Sequence, residues 1–159
     1  MELISGPWDH EQVSRWLDGA RIPVRLGVLG DRGQPLVISL WFLHADGELW
    51  LATGADADVV RHLRRDPRVG FEVGPDIPPY RGVRGSARAV LEEDRGLETL
   101  TRLLDRYLDP VNDELAGWLR DQAEDDEVAV RLTDLRVSSW DFSARMAPQE
   151  SAAELPTIG

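Results

Sequence analysis

All eighteen basic residues of this chain are arginine, and several are spaced where a guanidinium fork could meet an anion. Arg61, Arg64, Arg65 and Arg68 crowd one short segment, while Arg81, Arg84 and Arg88 recur along another. A guanidinium holds phosphate or carboxylate through two parallel N–H bonds, so a phosphorylated cofactor suits this pattern. Local pairing with nearby Asp and Glu is the other use of the same residues. Arg84 is the strongest candidate, because it lies between Gly82 and Gly85, where a ligand can approach the backbone. The six tryptophans are the second feature, and Trp41, Trp50 and Trp140 fall in segments of strand character. A barrel core or a dimer interface accounts for aromatic anchors of this kind. The sharper use is a pocket for a planar ring system, where stacking and apolar walls suit an isoalloxazine or deazaflavin.

The usual catalytic sets are missing. His10, His44 and His62 lie on three separate segments, and no GxSxG, HExxH or GxGxxG motif occurs. With no cysteine and no lysine there is no thiolate ligand, disulfide, cysteine nucleophile, Schiff-base lysine or P-loop lysine. The run Glu124-Asp125-Asp126-Glu127 lacks the spacing and glycine of a calcium loop and reads as a solvated helix end. With 29 acidic against 18 basic residues the net charge is −11, which disfavours nonspecific binding to nucleic acid. The arginine-only usage itself reads as genome composition. No apolar run reaches the roughly 18 residues of a membrane span. The opening MELISGPWDHE lacks a basic-then-apolar leader pattern, so the expected location is cytoplasmic.

These residues need elements to position them, and 159 residues is one domain's length. Val13, Trp16, Leu17 and Ala20 recur at helical spacing, and Asp9 with Gln12 forms a capping box, so Asp9–Ala20 is a predicted helix. Strands are expected at 24–29, 36–43 and 48–53, joined by turns at 30–33 and 45–47 into a β-meander. A short helix with Asp56 as N-cap is stopped by Pro67, and 68–74 alternates as a strand. After the proline loop 75–79, a long strand runs from Tyr80 to Leu91, with Val83, Gly85, Ala87 and Ala89 on one face. Side chains this small point to close packing of another element or a ligand. Helices follow at 93–108 and after Asp109-Pro110, then strands at 127–133 and 136–142 around a turn at 134–135. The expected class is mainly β: an antiparallel barrel of about six to seven strands with about four peripheral helices. Residues 1–146 form the single domain, and 147–159 is a flexible tail.

The order of these elements, with PLVISLWFLHADGELWLAT (Pro35 to Thr53), LRRDPRVGFEV (Leu63 to Val73) and PPYRGVRGSARAVL (Pro78 to Leu91), resembles a known group. It is the FMN-binding split β-barrel superfamily of pyridoxamine 5′-phosphate oxidase-like proteins, including its flavin- and deazaflavin-dependent oxidoreductases. The resemblance spans about residues 10 to 142. It implies a Greek-key-like split barrel and a homodimer with cofactor sites at the subunit interface. The cofactor would be FMN, or F420 in some branches, exchanging hydride with a small-molecule substrate. The ring would lie along the second and third strands, with Ser39, Trp41 and Thr53 in contact, Trp140 as a wall, and Arg61 and Arg84 on the phosphate. That phosphate would sit at the start of the helix after the third strand, which suits an anion.

At that helix start the chain departs from the group. Where many relatives carry a cation, Val59 stands beside Asp58. Two like charges about 4 Å apart repel by ~4 kcal/mol at an effective dielectric of 20. Three outcomes follow: Asp58 points away, Arg61 and Arg84 take over, or the site no longer binds FMN in the usual manner. The alternative to an oxidoreductase is a non-enzymatic barrel dimer that binds another ligand or none. Pyridoxamine-phosphate oxidation is not implied, because fold does not fix function.

Overall fold

The structure is a computed structural model that describes residues 1–108, 112–122 and 126–146. In chain order the elements are β1 (Glu2–Ser5), α1 (His10–Gly19), β2 (Val24–Leu29), β3 (Pro35–Leu40), β4 (Leu43–Ala45) and β5 (Glu48–Gly54). Then come α2 (Asp58–Arg65), β6 (Arg68–Val73), β7 (Arg81–Glu92), a 3₁₀ turn (Glu93–Arg95), α3 (Gly96–Tyr107), α4 (Asp113–Gln122), β8 (Glu127–Asp141) and α5 (Ser143–Met146). The capping box of α1 forms as expected: Asp9 Oδ1 accepts from the Gln12 amide at 2.8 Å, and Gln12 Oε1 accepts from the Asp9 amide at 2.9 Å.

The eight strands form one sheet, ordered β3-β2-β6-β7-β8-β5-β4, with β1 added alongside β8. Every pairing is antiparallel except β1 with β8. β3 and β4 stand at opposite ends of this path, yet only Trp41 and Phe42 separate them in the chain. The sheet must therefore curl to bring its ends near one another, but no ladder joins β3 to β4, so the barrel is open, split along that seam. Alternate side chains of β2, β5, β6, β7 and β8 fill the interior, with Leu26, Leu51, Phe71, Val83, Val130 and Val137 among them. Val13 and Leu17 of α1 and Val60 and Leu63 of α2 join the same core.

The structure departs from the sequence expectations at several elements. The apolar run from Leu36 to Leu43 is not one strand but two, so no three-stranded meander forms. β3 pairs with β2, and β4 with β5. The fully buried Phe42 marks the break, and uniform hydrophobicity across it concealed the corner. Asp134, at φ 54°, does not end a strand; β8 bends there and continues, so the two expected C-terminal strands are one. Ala57, not Asp56, is the N-cap of α2, and it supplies no side-chain hydrogen bond. β1 was not foreseen, because four residues against one edge give little periodicity. The small face of β7 serves packing: a Cβ on Gly85 would lie 2.0 Å from the Arg136 carbonyl oxygen and 3.1 Å from the Phe71 ring. The helix start at Asp109-Pro110, Glu124 and Asp125 of the acidic run and the 147–159 tail lie outside the described residues, whereas Glu127 opens β8 rather than ending a helix.

Candidate functional site

Breaking a strand at Trp41-Phe42 leaves backbone groups without ladder partners, and such groups are costly when buried. Tyr107, at the end of α3, resolves this. Its hydroxyl accepts from the Phe42 amide at 3.3 Å, and its single proton faces the Ile22 and Phe42 carbonyls at 3.2 and 3.3 Å. The Tyr107 ring stacks on Trp41, with centroids 5.1 Å apart and planes 8° from parallel. Beside this pair lies a groove of about 290 Å³ on the outer face of the barrel, lined by Ser39, Leu40, Trp41 and Ala52. Leu100 and Leu103 of α3 and Leu119 of α4 form its far wall. Apolar walls, one flat aromatic face and one hydroxyl suit a planar heteroaromatic ring.

The structure brings Ser39 and Trp41 to this groove but not the other expected residues. Thr53 shares the inward parity of Leu49 and Leu51, so Ala52 occupies the groove face instead. Trp140 packs across Gly74 and Gly82, where added Cβ atoms would each come within 2.9 Å of its ring. Arg84 lies 5.6 Å over that same ring and lines a separate, larger cleft of about 590 Å³ with Glu72, Ser86, Arg136 and Ser138. That cleft is larger than the groove, but Glu72, Arg84 and Arg136 bring charge to a lining otherwise shared with Ile4 and Phe71, which matches a planar apolar ring less well. The register places Ser39, Arg25, Glu72 and Arg84 in one row across neighbouring strands. Three strand spacings, roughly 14 Å, therefore separate Ser39 from Arg84.

Arg61 is engaged at a third place. Asp31, in the β2–β3 turn, accepts from Arg61 Nη1 at 2.6 and 2.7 Å and from Arg65 Nη1 at 2.8 Å. Asp58, on the first turn of α2, accepts from Arg61 Nη2 at 2.7 Å. Arg65 also donates to the Leu29 and Gly30 carbonyls, which fastens α2 to the hairpin. The buried His62 brings Nδ1 within 3.3 Å of Asp31 without hydrogen-bond geometry. The hydrogen bond from Arg61 holds the Asp31 carboxyl below the usual range against some desolvation, with the Arg61, His62 and Arg65 charges adding to it. Asp58 is lowered by the same guanidinium. Asp66 falls to about 2, through the Arg68 side chain first and its backbone N–H second.

Carboxyls depressed in this way stabilise the fold above the unfolded value and lose that contribution as pH falls through the folded one. The thermal midpoint is therefore expected to drop as pH falls from about 4 toward 2. Asp31→Asn should make that drop shallower, because one of the depressed groups is gone. An identical acid profile in the variant would show that the Asp31 cluster contributes nothing to stability.

The residues can be tested against an FMN-type cofactor in two parts. The groove at Trp41 fits the ring. The start of α2 does not fit the phosphate. Its cation is held by Asp31 and Asp58, and Asp58 is exposed where the anion would stand. A second carboxylate, Asp56, places Oδ1 3.2 Å from the Cβ position of Gly54 at the same corner. No cluster of acidic or histidine side chains suited to a metal ion occurs among the described residues.

Sequence reasoning missed Tyr107 and Asp31. Tyr107 read only as one member of an apolar helix stripe, and Asp31 as a turn residue. Their roles come from partners 65 and 30 positions away, at Phe42 and Arg61.

Comparison with known proteins supplies the lineage. Among solved structures, the conserved hypothetical protein Rv2991 from Mycobacterium tuberculosis is similar at 27% identity and TM-score 0.69, covering 91% of this chain and 92% of that one. An F420 reductase shares the fold at 22% identity and TM-score 0.61, covering 80% and 94%. A FAD-binding protein from Mesorhizobium loti shares it at 17% identity and TM-score 0.57, covering 83% and 93%. No curated protein matches. The family model for pyridoxamine 5′-phosphate oxidase matches residues 10–144, from the first residue of α1 into α5. The chain belongs to the pyridoxamine 5′-phosphate oxidase family of split β-barrels.

Proposed function

We propose that this protein binds a flavin or deazaflavin ring in the groove beside Trp41 and works as an oxidoreductase on a small substrate. The observation that carries this reading is the Trp41–Tyr107 stack at the barrel seam, opening onto a groove walled by leucines and edged by the Ser39 hydroxyl. A bound ring of this class supplies the hydride chemistry itself. The chain's own residues then have three tasks. Trp41, backed by Tyr107, fixes the plane of the ring; Leu100 and Leu103 exclude water; Ser39 offers one hydrogen bond at the edge. This division fits a sequence without a nucleophile or an acid–base constellation. Family membership and the resemblance to an F420 reductase and a FAD-binding protein support the ligand class.

The same reading includes a homodimer. Val37, 71% exposed on the outer face of β3, stands beside an apolar shelf built on Gly27 and Gly70, a face that a second copy would cover. Light scattering on the purified protein, joined to equilibrium dialysis against riboflavin, FMN and F420, tests both parts. The expected result is a dimer that retains at least one of the three ring ligands. A protein that retains none would contradict the oxidoreductase reading and favour a non-enzymatic barrel.

A further inference from the structure

We infer that the start of α2 is closed to a phosphate dianion, so that this chain selects its ligand by the ring and disfavours a terminal phosphate monoester. The inference rests on the flavin reading above and narrows its ligand class.

A bare helix start attracts anions through its unpaired amides, and α2 has no capping side chain to satisfy them. Here the chain supplies the anions itself. Asp58 occupies the first helical position, where a carboxylate already complements the helix dipole. The nearest guanidinium, Arg61, already bonds Asp31 through Nη1 and Asp58 through Nη2, so two carboxylates balance its charge. Arg65 is bound to Asp31 and to two carbonyls, and Arg64 points to Glu93 at 3.1 Å. Around this corner Asp31, Asp56 and Asp58 outnumber Arg61 and Arg65. A phosphate arriving there would share Arg61 with Asp31 and Asp58 and stand beside both of their charges. A neutral hydroxyl, such as the chain end of riboflavin, meets no such opposition and can accept from a free amide. Asp58 is thus a specificity-determining residue, and Asp31 a positioning residue that holds Arg61 and offsets its charge.

The test is a pair of fluorescence titrations, riboflavin and FMN, on the wild-type protein and on Asp58→Asn. The wild type is expected to bind riboflavin at least as tightly as FMN. Asp58→Asn, which keeps the side-chain shape but removes the charge, should raise FMN affinity roughly tenfold or more at low salt, with riboflavin affinity nearly unchanged. Asp31→Asn combined with Asp58→Asn leaves the Arg61 charge uncompensated by either carboxylate and should raise FMN affinity further. Tenfold preference of the wild type for FMN, or an FMN-to-riboflavin ratio unmoved by Asp58→Asn, would overturn the inference while leaving the ring site standing. Binding of neither ligand would bring down the flavin reading and this inference with it. A thermal midpoint measured on each variant separates lost binding from lost fold.

Discussion

Trp41→Ala is expected to weaken binding of a flavin ring by roughly ten- to hundredfold, the range measured when an aromatic platform is removed from beneath a planar base. Among the described residues Trp41 is the one tryptophan lining the groove, and Tyr107 braces it from one side, so its ring is held before any ligand arrives. Pre-organisation matters because a side chain that must be ordered on binding costs about 0.5–1.5 kcal/mol. Trp41→Phe keeps a smaller ring on Tyr107 and should recover much of the affinity. The stability cost of Trp41→Ala should be modest, since Trp41 is half-buried while the neighbouring Phe42 is fully buried and holds the seam. Unchanged affinity in a folded Trp41→Ala protein would show that the groove is not the ring site.

Gly96→Ala should be the most damaging small substitution for the architecture of the site. A Cβ at Gly96 would stand 2.0 Å from the Glu127 carbonyl oxygen, 2.2 Å from its carbon and 2.7 Å from the Val128 nitrogen. These are backbone atoms of β8 with no rotamer to yield, so the start of α3 would be pushed away from the sheet. Overpacking of this kind costs about 1–3 kcal/mol, or roughly 2–10 °C in thermal midpoint for a chain of this size. Ligand affinity should fall as well, because α3 carries Leu100, Leu103 and Tyr107 to the groove. Gly117→Ala is the matched control: nothing lies within 4 Å of its Cβ position on α4, and the change should stabilise by about 0.5–1 kcal/mol. Equal thermal midpoints for the two variants would contradict this account of α3 docking.

Much of the fold was legible in the sequence because local signals were strong and unopposed. The Asp9–Gln12 capping box, the alternation at 68–73, the turn at Asp46-Gly47 and the stop at Pro67 each follow from one or two residues and their neighbours. The corner at Trp41-Phe42 was not legible, because the residues on both sides are equally apolar. Only the pairing of β3 with β2 and β4 with β5 reveals it. The bend in β8 was read as a strand end for a similar reason, since Asp134 carries a turn conformation inside a strand that continues to pair with β7.

The site was legible in its residue types rather than in its arrangement. Ser39 and Trp41 share the groove because alternation and the seam put them there, while Thr53 falls on the other parity by one residue. Arg61 and Arg84 both looked available for a phosphate. Arg84 lies over Trp140 on another part of the sheet, and Arg61 is bound by an aspartate 30 positions upstream that no local pattern links to it. The mismatch at Asp58 was visible in the sequence, and the structure supplies its consequence: the cation beside it is already neutralised.

The most direct test of the ring site is quenching of riboflavin fluorescence by the protein, because a tryptophan stacked on the ring quenches its emission. The expected result is saturable quenching by the wild type that is largely lost in Trp41→Ala, with both proteins showing the same far-ultraviolet circular dichroism. Equal quenching by the two proteins, or none by the wild type, would contradict the placement of the ring at Trp41.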